Sequence, residues 1–187
     1  MTITDETQVW ARALAKDPLA YAELFDWHSA RVYRRALGML GNVHDAQDVT
    51  AAAFFELWRK HRAVRLTNGS VLPWLLVTVV NLSRNHLRGV ARYRLAIASI
   101  PRSEQSVDPA ESVEHRLDGA AALAGLDRID AALLVLTAVE GFTTAEAATA
   151  LGLKPGAARM RLSRLRDSFQ QELRRLALRP LTEGETP

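Results

Sequence analysis

Apolar positions recur along this chain at steps of three and four, the spacing of one helix face, and strand-like alternation is nearly absent. The pattern predicts an all-α protein. A first helix is expected over Glu6 to Ala15. A second starts after Asp17-Pro18 and runs to Gly41, with Tyr21, Leu24, Phe25, Val32 and Leu40 as core candidates. Gly41-Asn42 ends it. A third begins near Asp45 and carries the stripe Val49, Ala53 and Leu57, with Phe54 and Trp58 alongside. A polar loop, Arg62 to Ser70, leads to Pro73-Trp74 and a fourth helix. There Leu75, Val79, Leu82 and Leu87 turn inward, while Asn81, Arg84, Asn85 and Arg88 point elsewhere.

The most informative stretch lies later, from Gly141 to Arg166. Thr143 followed three residues on by Glu146 is a capping-box pattern, so a helix starts there and runs through the alanines to Leu151. Gly152 closes it, because glycine enters the left-handed conformation without a Cβ clash, and Pro155 suits the first turn of the next helix. Two helices joined by a tight turn form a helix-turn-helix. In the second, Ala158, Leu162, Leu165, Phe169, Leu173 and Leu176 form one stripe expected to pack inward. Gly156, Ala157, Met160 and Arg164 lie outward, with Arg159 and Arg161 on the shoulders. Small residues at the entry let a backbone approach a duplex, and arginine can grip a phosphate or pair with guanine, so DNA is the first partner to weigh. A solvated basic face on an amphipathic helix is the bland alternative; cap, turn and arginines together favour DNA.

Between these blocks the helical pattern breaks. Ile100 to Val113 holds two prolines, and Glu104, Asp108, Glu111, Glu114 and Asp118 make the wider segment acidic. The expected organisation is a four-helix unit over residues 1–95, a flexible acidic linker over 96–118, a helix-turn-helix unit over 119–179 and a disordered tail over 180–187. Fully extended, the linker could reach on the order of 80 Å, enough for DNA sites about two turns apart.

Charge changes this picture only modestly. Net charge is +3, so a nucleic-acid surface must come from clustering. The 187 residues contain no cysteine, which excludes a disulfide framework and thiolate metal sites. The start is acidic, and the most apolar run, Val71 to Val80, is too short to cross a bilayer, so no leader or membrane insertion is expected and the location is read as cytoplasmic. Chemistry is poorly supported. His28, His44, His61, His86 and His115 are scattered over different blocks, and no metal-protease, phosphate-cradling or nucleophile-elbow motif occurs, so neither catalytic residues, metal nor cofactor is expected. A second nucleic-acid candidate is the fourth helix with its loop, where Arg62, Arg65, Asn68, Ser70, Asn81, Arg84, Asn85 and Arg88 supply groups suited to phosphates and base edges. Of the four tryptophans, Trp10, Trp27 and Trp58 sit on helices where core packing is the commoner role; Trp74, beside the loop, has the better claim to a base.

From about Asp17 to Leu176 the chain resembles alternative sigma factors of the extracytoplasmic-function group. AYAELFDWHSARVYRRALGMLG resembles the family's first conserved helix, DAQDVTAAAFFELWRKH its core-polymerase-binding helix and PWLLVTVVNLSRNHLR its minus-ten reader. VLTAVEGFTTAEAATALGLKPGAARMRLSRLR resembles the minus-thirty-five reader. The resemblance implies a subunit that joins core RNA polymerase, recognises both promoter elements and assists melting, the chemistry staying with the polymerase. Carried over, Asp45, Asp48, Phe55, Trp58 and Arg59 would meet the polymerase; Arg62, Asn68, Ser70, Trp74, Asn81, Arg84, Asn85 and Arg88 the minus-ten strand. Thr144, Gly156, Ala157, Arg159, Met160, Arg161 and Arg164 would meet the upstream duplex. An anti-sigma partner is implied by the same resemblance, as is an acidic linker that imitates nucleic acid inside the polymerase, while the lack of a long apolar seam predicts a monomeric free state.

This chain departs from the family in places. Gln47-Asp48 and Ala51-Ala52 stand where an acidic-Asp and a Gln-Glu pair are usual, removing polar groups from the polymerase-facing helix. Asp127 replaces a common proline, Thr137-Ala138 a common Arg-aromatic pair, and Ala157 and Met160 frequent hydroxyl residues. No extra C-terminal domain is expected after LRPLTEGETP. The alternative reading is a stand-alone helix-turn-helix regulator with an N-terminal ligand-binding or dimerising domain; a third is an interaction protein that sequesters a transcription component.

Overall fold

The computed structural model describes residues 5–98, 123 and 125–177. The acidic segment and the C-terminal tail fall outside these residues, as does the side chain of Leu176.

Helix α1 (Glu6–Leu14) begins at Asp5, whose carboxylate accepts the Thr7 N–H at 3.1 Å. Helix α2 (Pro18–Leu40) is capped by Asp17 through the Leu19 N–H at 2.9 Å, with proline at the first position where no donor is lost. Gly41, at φ 68°, ends it in the left-handed conformation. Asn42 caps α3 (Val43–Lys60), which therefore starts two residues before the expected Asp45. A single 3₁₀ turn, His61–Ala63, and a tight turn closed by reciprocal Thr67–Ser70 bonds lead into α4 (Leu72–Ala98). The turn forces Asn68 and Gly69 to φ 51° and 76°, and the Ser70 hydroxyl accepts the Leu72 N–H at 3.1 Å to start α4.

Helices α2, α3 and α4 pack mutually, and α1 lies across α2. Alanines at 20, 36, 46 and 53 are fully buried and let the backbones approach, while Leu24, Val32, Leu57, Leu75, Leu76, Val79 and Val80 fill the centre. Burial of each such aliphatic side chain is worth about 1.5–3 kcal/mol. Not every core candidate lies there. Phe25 is 44% and Trp58 56% exposed, because α4 covers the opposite sides of α2 and α3. The Phe25 and Phe54 rings instead meet 4.8 Å apart on the outside of that pair.

The C-terminal unit comprises α5 (Arg128–Leu134), a π-type turn at Val135–Val139, α6 (Thr144–Leu151) and α7 (Pro155–Ala177). The capping box forms: Thr143 accepts from the Glu146 N–H, and Glu146 accepts in return from the Thr143 N–H at 2.6 Å. Gly152 closes α6 at φ 67°. Ala131, Ala132, Leu133, Leu136, Ala147, Ala148, Ala158, Leu162 and Leu165 make its core. The stripe of α7 does not continue inward as expected. Phe169 is 37% and Leu173 65% exposed, since a 23-residue helix outruns partners of seven and eight residues. Asp127, where the family favours proline, caps α5 through the Ile129 N–H at 2.9 Å.

The two units are not apart. Helices α5 and α6 pack against α4, placing the C-terminal unit on one face of the N-terminal bundle.

Candidate nucleic-acid interface

The first residues of α7, Pro155 to Ala157, are exposed. Gly156, Ala157, Arg159, Met160 and Arg164 are all exposed, Met160 by 58%, and Thr144 lies half-buried at the start of α6. Arg161 differs from its neighbours. Its guanidinium bonds Asp130 at 2.7 Å and approaches Asp127 at 3.5 Å, so this arginine ties α7 to α5 and those partners raise its pKa. The exposed set matches what a major groove accepts, small residues at the helix entry followed by cationic arms.

The second candidate surface is split. Arg62, Asn85 and Arg88 are exposed. Asn85 and Arg88 line a depression of about 480 Å³ with Ala91, Arg92 and Leu95. Ser70 is occupied in starting α4. Asn68 donates to the Glu146 carboxylate of the C-terminal unit. Trp74 and Asn81 sit in a seam of about 270 Å³ shared with Lys60, Arg128, Ile129 and Leu151. There the buried Asn81 Oδ1 has no hydrogen-bond partner. Arg84, expected away from the core, is only 1% exposed. Its guanidinium donates to the carbonyls of Leu123, at 3.0 Å, and Leu126, and burial lowers its pKa from the ordinary arginine value. Sequence spacing placed Arg84 off the apolar stripe but could not show that another unit covers it.

The set expected to meet the polymerase runs along α3. Asp48, Phe55, Trp58 and Arg59 are exposed, with the Phe55 and Trp58 rings 5.8 Å apart. Arg59 chelates Glu56 through bonds of 2.7–3.0 Å; its guanidinium, with Lys60, holds that carboxyl down at about 2. Asp45 is half-buried and faces His86 of α4 at 3.3 Å. Ala51 and Gln47 open a groove of about 570 Å³ with Phe25, Ser29, Ala30, Tyr33 and Thr50. Of the Ala51-Ala52 pair, Ala51 alone lines this groove, beside the polar Gln47, Ser29 and Thr50.

Two groups of contacts, one on Glu140 and one on Glu6, escaped sequence reasoning. Arg31 and Arg35 of α2 both bind Glu140, which follows the π-type turn, across more than a hundred residues. Glu6 of α1 accepts from His28 at 2.9 Å and from the Val71 N–H at 2.7 Å, tying α1 to α2 and to the entry of α4. Neither has a local sequence signal.

Among the described residues no group of three or more His, Asp or Glu side chains could hold a metal ion, and no helix is long and apolar enough to cross a membrane.

Comparison with known proteins gives a consistent pattern. The family model Sigma-70 region 2 matches residues 24–93, and Sigma-70, region 4 matches residues 120–168. The chain is 32% identical over 163 residues to the ECF RNA polymerase sigma factor SigE of Mycolicibacterium smegmatis, covering 82% of this chain and 62% of that protein. It is 30% identical over 154 residues to SigL of Mycobacterium tuberculosis, covering 80% of this chain and 86% of that one. Among solved structures, CnrH in complex with the cytosolic domain of CnrY superposes with a TM-score of 0.57 at 24% identity, over 90% of this chain and 97% of that one. The sigma factor RpoE in complex with the anti-sigma factor NepR from Bartonella quintana gives 0.51 at 18% identity, over 82% and 96%. At such identities these two carry the fold alone.

Proposed function

The chain belongs to the extracytoplasmic-function group of sigma-70 factors, and from that premise we propose that it joins core RNA polymerase, reads minus-thirty-five and minus-ten elements and assists promoter melting. One observation carries the reading: regions 2 and 4 match in family order, and the recognition helix of the second unit presents Gly156, Ala157, Arg159, Met160 and Arg164 to solvent. The upstream duplex would be read by that set, with Thr144 and Arg161 flanking it. The minus-ten strand would meet Arg62, Asn68, Ser70, Trp74, Asn81, Arg84, Asn85 and Arg88. Opening DNA costs stacking, so a surface that captures an unstacked base beside a cationic helix favours the open form. The exposed aromatics Phe55 and Trp58, with Asp45, Asp48 and Arg59, would meet the polymerase, and the Ala51 groove makes that contact more apolar than is usual in the family.

The protein is a transcription initiation factor without catalysis of its own, acting as a monomer in the cytoplasm where the polymerase works. An anti-sigma partner fits the same reading, since RpoE and CnrH were each solved with a second protein bound. Reconstitution of the purified chain with bacterial core polymerase tests the proposal. Co-elution and discrete new start sites on a genomic library are expected. A chain that ignores core yet shifts duplex DNA alone would instead be a stand-alone helix-turn-helix regulator, with a palindromic footprint.

A further inference from the structure

The seam between the two units has a consistent polarity. Arg31 and Arg35 stand one turn apart on α2 and converge on the Glu140 carboxylate, the first through Nε to Oε2 at 2.8 Å and the second through Nε to Oε1 at 2.6 Å. A further Arg31 N–H donates to the Glu140 carbonyl at 2.9 Å, and its guanidinium lies 5.5 Å from the centre of the Phe142 ring. The Glu140 side chain is 6% exposed, so this anion is held away from water. Arg84 and Asn68 follow the same rule: each donates from the N-terminal unit to a carbonyl or carboxylate of the C-terminal unit. In each of these bonds the donor lies on the N-terminal bundle and the acceptor on the unit that covers it.

Two guanidinium groups closing on one small anion, with a third and a carboxamide on the same covered face, form the donor set that nucleic-acid backbones satisfy. Carboxylate and phosphodiester oxygens accept alike from such a fork. Arg31 is 40% and Arg35 18% exposed beside a carboxylate that is itself 6% exposed, so once Glu140 leaves the pair is open to another anion. We propose that Arg31 and Arg35 are a phosphodiester-binding fork belonging to the minus-ten face, and that Glu140 occupies it as a stand-in anion while the two units are closed. The inference rests on the promoter reading above and adds two DNA contacts and a competitor to it. Closing the units and binding the minus-ten strand then exclude one another at this fork.

The test uses the full chain with core polymerase, on promoter DNA mapped by the start-site experiment and opened at the minus-ten element, with affinity measured over a range of salt. Dyes on α3 and α7 of the free protein report closure. Glu140→Gln keeps the shape and removes the charge. It is expected to lower energy transfer in the free chain and to tighten binding of core polymerase about three- to tenfold, with the salt dependence of DNA binding unchanged. The double variant Arg31→Gln, Arg35→Gln is expected to open the free chain equally but to weaken DNA binding, the slope of log K against log salt becoming shallower by about 1 to 2. Should the double variant not fold, Arg31→Gln alone, at the more exposed arm of the fork, carries the same readout with a change of about one. An opened double variant that keeps the wild-type slope and affinity would overturn the proposal, leaving the fork as a seat for Glu140 only. So would a Glu140→Gln chain as closed as the wild type. Failure of the promoter reading looks different: wild-type protein then forms no complex with core at all, and this proposal falls with it.

Discussion

At the scale of single residues, Glu6 organises more than its position in a short first helix suggests. Half burial pushes its carboxyl pKa up, but the bonds from His28 and from the Val71 N–H outweigh that and hold it below the ordinary value. Glu6→Ala removes both, leaving a partly buried N–H at the start of α4 unpaired. A loss of about 2 kcal/mol is expected, read as a lower urea midpoint, with Glu6→Gln losing less because its carbonyl oxygen still accepts. The sign of the pH dependence follows. Folded Glu6 titrates below its unfolded value, so its contribution is complete above about pH 4.5 and fades as pH falls through the lowered folded pKa. Wild-type stability should therefore fall more steeply than that of Glu6→Gln below about pH 4.5. A midpoint series from pH 6 to 3 with parallel curves would show that the carboxylate bonds add nothing. The arginines of α7 divide in the same way. Arg159→Ala and Arg164→Ala should leave the melting temperature unchanged while weakening upstream DNA binding, each making the salt slope shallower by about 1. Arg161→Ala should also lower the melting temperature, because its bond to Asp130 joins α7 to α5. Sequence spacing could name these arginines as a group. It could not tell Arg161 from Arg164, since the carboxylate that draws one aside lies 31 residues earlier.

At the scale of elements, boundaries were the most legible part of the chain, because they are written in a few adjacent residues. Thr143 and Glu146, Asp17-Pro18, Gly41 and Gly152 each act where the sequence places them. Gly152 allows a clean test. A Cβ there would meet nothing within 4 Å, so the cost of Gly152→Ala is the left-handed backbone alone, about 1 kcal/mol. The expected result is a lower stability of the C-terminal unit with an unchanged turn, measured by hydrogen exchange of α6 and α7 amides. Protection as in the wild type would mean that the turn relaxes out of the αL region. Less legible was how far an amphipathic stripe finds a partner. Periodicity marks Phe169 and Leu173 as it marks Leu162, but only a partner helix long enough to reach them could bury them. Trp58 and Phe25 make the same point on the N-terminal bundle, where a stripe alone does not say which side of a helix pair is closed by a third helix. The π-type turn at Val135–Val139 has no periodic signature at all, yet it sets where Glu140 emerges.

At the scale of the whole molecule, closure itself sets a limit on promoter reading. A compact chain of 187 residues has a radius of gyration of about 16 Å. Two DNA elements about two turns of duplex apart lie on the order of 70 Å from one another. A closed chain cannot touch both, and in the closed arrangement Asn68 and Arg84 are already engaged by the C-terminal unit while Gly156, Ala157, Arg159, Met160 and Arg164 of α7 stay exposed. Separation is geometrically affordable: the 24 residues between Ala98 and Leu123 could extend on the order of 80 Å. The expected agent is core polymerase, which by linkage can favour the separated form only through a greater affinity for it. Energy transfer between dyes on α3 and α7 should fall when core is added, before any DNA is present, and fall no further on promoter binding. The free chain should meanwhile bind upstream duplex through α7 weakly but measurably, and opened minus-ten DNA hardly at all. If transfer stays high in the holoenzyme and drops only with promoter DNA, DNA rather than polymerase separates the units, and the order of events in initiation is reversed.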